Sequence, residues 1–223
     1  MYMLHEPIFR KPRIWSNTEL RNIAHHFSGS VLNVSGWADE DKQGGTYRSY
    51  FINALNYEVS NHYGGKQIGK KFTLENSIQL DLELPIPSNL IKNYDYVLCH
   101  TVLEHVFNIQ QAFDNLCALS KDVIILVVPF VQSLHIKQGK YSDYWRFTPY
   151  SLERFFVERG FETVYRSYTP FRNSSVYLFY IVTCNPQKWV NIFGTINPID
   201  EIPKKSHFIR MVYNIFGKFY NRY

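Results

Sequence analysis

Two rhythms of apolar and polar residues take turns along this chain. One is a short, dense apolar run, which suits a buried strand. The other is an apolar stripe recurring at i, i+3, i+4 and i+7, which suits one face of a helix. Dense runs fall at residues 31–35 (VLNVS), 57–60, 78–80, 96–99 and 122–128, with two later ones at 161–165 and 176–183. Stripes fall at 14–27, 46–55 and 108–119, and from Pro149 to a glycine stop at Gly160. Ser16 with Glu19 reads as a capping box opening the first helix, with Trp15 and Leu20 placed as its hydrophobic staple. Asn108 is placed to cap the 108–119 helix, and Thr148 the last one, with Pro149 at its first position. Strand and helix alternate as far as residue 128. This predicts an α/β domain with a mostly parallel central sheet, helices on its faces and right-handed crossovers. The two late runs predict an antiparallel pair at one edge of that sheet.

Ligands of open α/β sheets bind in the crevice beyond the carboxyl ends of the strands, so the residues that follow each run carry the functional reading. The stretch YDYVLCHTVLEHV, residues 94–106, ends its apolar run at His100 and Thr101 and turns into a segment carrying Glu104 and His105. Residues 31–35 end in Ser35 and Gly36, followed by the loop WADEDKQGG; a strand, a glycine and a helix in succession make room for a nucleotide. An ordinary glycine turn is the plainer account, because the chain has neither GxGxxG nor GxxxxGK. After residues 57–60, where nucleotide folds often place a ribose-holding carboxylate, stand Asn61 and His62. Asp81, after 78–80, is placed to accept from an exocyclic amine, or else serves as a helix cap or turn residue. Residues 132–146 form a long polar loop leaving a central strand, with His135, Tyr144, Trp145 and Arg146. Loops in that place commonly carry function.

Composition changes this picture little. The 223 residues suffice for one α/β domain with an appendage, and 45% apolar content is ordinary for a globular core. A formal charge of +5 fits an anionic substrate, nucleic acid or a membrane surface and selects none of them. Much of that charge lies in the tail, where Lys188, Lys204, Lys205, Arg210, Lys218 and Arg222 face only Asp200 and Glu201. The expected division is therefore a domain over 1–185 and a basic, aromatic helical extension over 186–223. Residues 206–219 are amphipathic and suited to docking on the domain, to self-association or to a peripheral membrane contact. Cys99, Cys117 and Cys184 are too few and too scattered for a disulfide framework or a metal site. They predict reduced, buried thiols and a cytoplasmic protein.

Three segments together resemble class I S-adenosylmethionine-dependent methyltransferases. DLELPIP is similar to the family's segment after its third strand, and YDYVLCHTVLEHV to its fourth strand and the helix after it. DYWRFTPYSLERFFVERGFE is similar to the stretch before its late strands. The resemblance spans roughly residues 31–183 and is nearest to the branch found in bacterial surface-polysaccharide and sugar modification. It implies the Rossmann-like fold of that class and S-adenosylmethionine as cofactor. Asp81 and Leu82 would flank the adenine and His100 would lie near the methionine part, while Glu104 and His105 match the family's helix-start pair. The family's glycine-rich first motif departs here: Asn33 stands at its acidic position and only Gly36 matches cleanly. That leaves Ser35 and Gly36 to contribute backbone contacts.

A sulfonium leaves as a neutral thioether, so the protein has to align the acceptor, exclude water and remove the acceptor's proton. His135, on the loop over the crevice, is the first candidate base and His100 the second. A loop histidine bonded to backbone is the competing account of His135. Tyr144, Trp145 and Arg146 are the substrate-side candidates, with an ion pair to Asp143 as the competing role for Arg146. The function read from the sequence is O-methylation of a sugar, a sugar-nucleotide or a polysaccharide precursor. The alternative is a non-catalytic binding module of the same fold, or a methyltransferase for another small molecule or nucleic acid. Nucleic-acid substrates fit poorly, because CHTV after the fourth strand is unlike the D/N-P-P-aromatic motif of adenine-N6 enzymes.

Overall fold

In the computed structural model the described residues are 6–62, 67–68, 71–72, 76–132, 134, 141–170, 176–194, 196 and 199. The order is α1 (Glu6–Ile23), β1 (Ser30–Val34), β2 (Asn56–Asn61), β3 (Gln67–Ile68), β4 (Lys71–Phe72), β5 (Ile78–Gln79), β6 (Tyr94–His100), α2 (Ile109–Leu119), β7 (Ser120–Pro129), α3 (Pro149–Val157), β8 (Glu162–Tyr168), β9 (Tyr177–Thr183) and α4 (Pro186–Phe193). Seven strands form one sheet in the order β5-β2-β1-β6-β7-β9-β8, while β3 and β4 pair separately. The first five of those strands run parallel. β9 is antiparallel to both its neighbours, which leaves β8 at the edge.

Successive side chains of a strand point to opposite faces, and the core divides accordingly. Leu32, Val34, Val97, Cys99, Ile124, Leu126 and Val128 face α2 and α3, meeting Phe113, Leu116, Leu152 and Phe156. Val31, Tyr96, Leu98, Val123, Ile125 and Val127 face the other way, onto Leu20 and Ile23 at the end of α1, Phe27 just beyond it and Trp189 of α4. β7 is buried from Asp122 to Pro129, as befits a strand with neighbours on both sides and helices above and below. Trp189 is fully buried, stacks on Phe193, and donates its indole N–H to Asp122 at 3.1 Å. α4 thus belongs to the packing of the sheet.

Several sequence-based expectations need correction. α1 begins at Glu6, so Ser16 lies inside the helix and caps nothing; it is buried and turned to other work, described below. Trp15 and Leu20 accordingly form no staple. In place of a helix over 46–55 there is one 3-10 turn, Tyr47–Tyr50, because Tyr47, Tyr50 and Phe51 are drawn into the core from a loop. Asn108 precedes α2 without a side-chain cap bond; its amide donates to the Glu83 carbonyl at 3.4 Å. Cys184 is exposed, whereas Cys99 and Cys117 are buried. The Thr148 cap is present, with Ser151 completing a reciprocal box. His135 and the amphipathic stretch 206–219 lie outside the described residues. Among the described residues no helix is long and apolar enough to cross a membrane, and no group of three His, Cys, Asp or Glu is placed to hold a metal.

Candidate functional site

From β1 the chain moves outward in one direction, to β2 and β5, and the later strands β6 and β7 lie on its other side. The sheet's order therefore reverses between β1 and β6, and the crevice beyond their carboxyl ends is where open α/β folds take ligands. Backbone strain collects there. Ser35 and Trp37, just past β1, and Thr101, just past β6, have φ of 55°, 52° and 53°. Non-glycine residues in the left-handed region cluster at functional sites when the surroundings hold them there.

What holds the β1 side is a network of buried carboxylates. Asn33 donates to Asp39 at 2.8 Å; the Tyr57 hydroxyl donates to the same carboxylate at 2.7 Å and the Arg48 amide at 2.9 Å. Asp41 receives the amides of Gln43 and Gly45 and the Tyr50 hydroxyl, at 2.7, 2.9 and 2.6 Å. Burial pushes the Asp41 carboxyl up, but these bonds outweigh it and hold the group below the usual carboxylate range. Gly36 is needed because a Cβ there would sit 2.5 Å from the Asn33 amide nitrogen and 3.0 Å from Val59. Asn61, expected at the ribose, uses both ends of its amide on Trp37, accepting from its N–H at 2.7 Å and donating to its C=O at 3.1 Å. The partly exposed Asp81 accepts from the Glu83 amide at 2.9 Å and lies 3.6 Å from the His62 ring. Leu82 is buried in the core.

The β6 side is held by α1. Arg13 donates to the Tyr47 hydroxyl at 3.1 Å, to His100 Nδ1 at 2.7 Å and to Thr101 Oγ1 at 2.7 Å. A guanidinium only donates, so His100 Nδ1 accepts and the ring proton sits on Nε2. Nε2 is 2.9 Å from Ser16 Oγ, which in turn donates to the Arg13 carbonyl at 3.0 Å. Burial and then the Arg13 charge hold His100 well below its ordinary pKa. The residue considered as a second base is thus a neutral strut with both ring nitrogens engaged.

Beyond Thr101 the turn Leu103–His105 presents Glu104. Its carbonyl accepts the Tyr144 and Trp145 amides at 2.7 and 3.3 Å, which pins the substrate-side candidates over the strand tips. Trp145 donates its indole N–H to the Val106 carbonyl at 2.8 Å, and the half-exposed Tyr144 ring meets Phe107 edge-on at 5.3 Å. Arg146 forms a two-point pair with Asp143 at 2.7 and 2.5 Å and donates to the Gln132 carbonyl at 3.2 Å. The Glu104 carboxyl is buried, which pushes it up to about 8. The structure thus brings Ser35, Gly36, Asn61, Asp81, His100 and Thr101 to adjoining strand ends and sets Tyr144, Trp145 and Arg146 beside the last of them. Sequence reasoning missed Arg13, Tyr47, Asp39 and Asp41. Arg13 bonds His100 and Thr101, 87 and 88 positions away, and nothing in its local pattern distinguishes it from a solvated helix residue.

No protein-family model and no curated protein matches the chain. Solved structures do. The 1,6-didemethyltoxoflavin-N1-methyltransferase of Burkholderia thailandensis, with 1,6-didemethyltoxoflavin and S-adenosylhomocysteine bound, is 14% identical; the match covers 76% of this chain and 80% of that one, with a TM-score of 0.54. A magnesium protoporphyrin IX methyltransferase from Synechocystis PCC 6803, with S-adenosylmethionine bound, is 11% identical over 82% and 84%, with a TM-score of 0.53. An S-adenosylmethionine-dependent methyltransferase from Mesorhizobium loti is 9% identical over 74% and 96%, also at 0.53. The fold is that of the class I S-adenosylmethionine-dependent methyltransferases.

Proposed function

We propose that this protein is an S-adenosylmethionine-dependent methyltransferase that methylates a hydroxyl of a sugar, a sugar-nucleotide or a polysaccharide precursor. The observation that carries the reading is the strained backbone at Ser35, Trp37 and Thr101, on either side of the point where strand order reverses. The chain holds these turns itself, with the Gly36 N–H on the Ser60 carbonyl at 3.1 Å, the Trp37 N–H on Asn61 at 2.7 Å and the Thr101 N–H on the Val127 carbonyl at 2.7 Å. The backbone therefore stands fixed at the crevice, and close backbone approach is what a nucleoside ligand needs there. The residues present fit such a ligand. Ser35 and Gly36 would offer close backbone approach, the partly exposed Asp81 an acceptor for the adenine amine, and Thr101 the wall nearest the methionine part. When bound, the cofactor supplies an activated methyl group. The chain's own contribution is placement: the Asp39 and Asp41 networks fix the β1 loop, and Arg13 fixes the β6 corner, so little reorganisation remains at the moment of reaction. The sugar reading draws support from the aromatic pair beside Glu104, with Phe107 64% and Tyr144 50% exposed. Such rings offer an apolar face with a polar tip nearby.

The second reading, a binding module that has lost its cofactor, is favoured by Asn61, whose amide is committed to Trp37 where a ribose-holding carboxylate is common. Calorimetric titration with S-adenosylmethionine and S-adenosylhomocysteine separates the two. Saturable binding of both supports the enzyme, and no heat from either at millimolar concentration leaves the binding module.

A further inference from the structure

Among the described residues, three buried side-chain oxygens have no hydrogen-bond partner: Ser77 Oγ, Glu104 Oε2 and the Tyr180 hydroxyl. Of these, the Glu104 oxygen is the one that belongs to a carboxyl and stands at the tip of a central strand. A buried structural carboxyl is normally satisfied, because leaving a polar atom unpaired is costly. Glu104 is only 5% exposed, and charged and titratable groups surround it without bonding to Oε2. From α1 comes Arg13, whose guanidinium is given to Tyr47, His100 and Thr101. From the segment above come Asp143 and Arg146, joined to each other. β9 contributes Tyr177 and β6 the Cys99 thiol. On its own turn, His105 Nε2 lies 3.8 Å from Oε1, and Nδ1 lies 2.7 Å from the Ser142 carbonyl.

We infer that Glu104 is the proton acceptor of the reaction, its Oε2 receiving the hydroxyl that is methylated. The inference rests on the methyl-transfer reading above. Tyr144 and Trp145 are pinned to the Glu104 carbonyl, so the exposed Phe107–Tyr144 face adjoins the turn that carries this carboxyl. As the acceptor oxygen forms its bond to the methyl carbon, the carbon–sulfur bond breaks and its electron pair stays on sulfur. The hydroxyl proton passes to Oε2, giving a neutral carboxylic acid that later returns the proton to water. His100 cannot take this part, since a second ring proton would break its bond from Arg13. A carboxyl of raised basicity suits the task near neutral pH.

The test uses the full chain, methyl-labelled S-adenosylmethionine, and UDP-glucose, GDP-mannose and free hexoses as acceptors. Glu104→Gln is expected to lower turnover by roughly a hundredfold or more while S-adenosylhomocysteine affinity stays within about twofold, as loss of a general base would. Glu104→Asp should recover part of the rate, and the wild-type rate should rise with pH to a plateau above about 8, where the carboxyl is ionised. A second arm needs no acceptor: the carbon-13 signal of the Glu104 carboxyl should titrate near 8 and be absent in Glu104→Gln. A Glu104→Gln protein that binds S-adenosylhomocysteine and turns over at the wild-type rate overturns the inference alone. So does a carboxyl titrating in the ordinary carboxylate range, a result that stands even if both variants fail to fold. Wild-type protein that binds no S-adenosylhomocysteine overturns the methyltransferase reading and the inference with it. Binding without labelling of any acceptor overturns the sugar class and leaves Glu104 to the titration.

Discussion

Gly36→Ala tests whether the loop after β1 is a built cradle. The new methyl group would lie 2.5 Å from the Asn33 amide nitrogen, 2.8 Å from its carbonyl carbon and 3.0 Å from Val59 Cγ1. Asn33 is short, buried and held by its bond to Asp39, so it cannot yield without breaking that bond. Overpacking of this kind costs about 1–3 kcal/mol. Loss of one of several bonds to a buried carboxylate adds about 1 kcal/mol, since Tyr57 and the Arg48 amide remain on Asp39. The sum, about 2–4 kcal/mol, corresponds to a melting point lower by roughly 5–15 °C in a chain of this length. Urea melts of the single variants and of Asn33→Ala/Gly36→Ala measure it. Once Asn33 is trimmed the new methyl group has room, so the double variant should lose less than the two singles together. Gly44→Ala is the control: its Cβ meets nothing within 4 Å and only its φ of +97° opposes the change, a penalty of about 1 kcal/mol. Strict additivity in the cycle, or a Gly36→Ala protein as stable as the wild type, would refute the cradle.

Trp189→Ala should cost about 3–5 kcal/mol, because it empties a fully buried site against Phe27 and Tyr96 and removes the indole bonds to Asp122; urea melts measure this. Native protein should give one fast thiol with a disulfide reagent, Cys184, and denatured protein three. His100 and Glu104 should pull stability in opposite directions with pH. His100 is depressed in the folded state, so the unfolded chain binds its proton first and His100 lowers stability as pH falls below about 6.5. Glu104 is raised, so the folded chain holds the extra proton and stability falls as pH rises from about 4.5 to about 8. Between about 4.5 and 6.5 the two trends offset each other. Denaturation against pH should therefore show His100→Gln gaining stability with acid in that window and Glu104→Gln losing it, and parallel curves would contradict both assignments.

Local pattern made much of the sheet legible. Residues 122–128 form a dense β-branched run because β7 has neighbours on both sides and helices on both faces, and a strand in that position has little choice of composition. Thr148-Pro149 was legible because a cap acts within one turn. The first helix was misplaced for the opposite reason. Its capping-box spelling at Ser16 and Glu19 is genuine, yet Ser16 is held by His100, 84 positions away, and a long-range bond leaves no periodic trace. The helix expected at 46–55 failed because Tyr47, Tyr50 and Phe51 gain more from the core, and from Asp41, than from a helical stripe. At the site, the strand-tip positions followed from topology alone. What those side chains do, with Asn61 turned to Trp37 and His100 to Arg13, depends on partners that only the folded chain brings together.

The contact between Arg13 and the β6 corner joins residues 87 positions apart. During synthesis the first helix must wait until the fourth strand of the main sheet has emerged before the pocket can close. Long-range contacts of this kind form late, since chain-closure entropy must be overcome first. A nascent chain halted before residue 100 would carry Arg13 with neither His100 nor Thr101 to bind, and ligand binding would register the arrival of β6 beside β1.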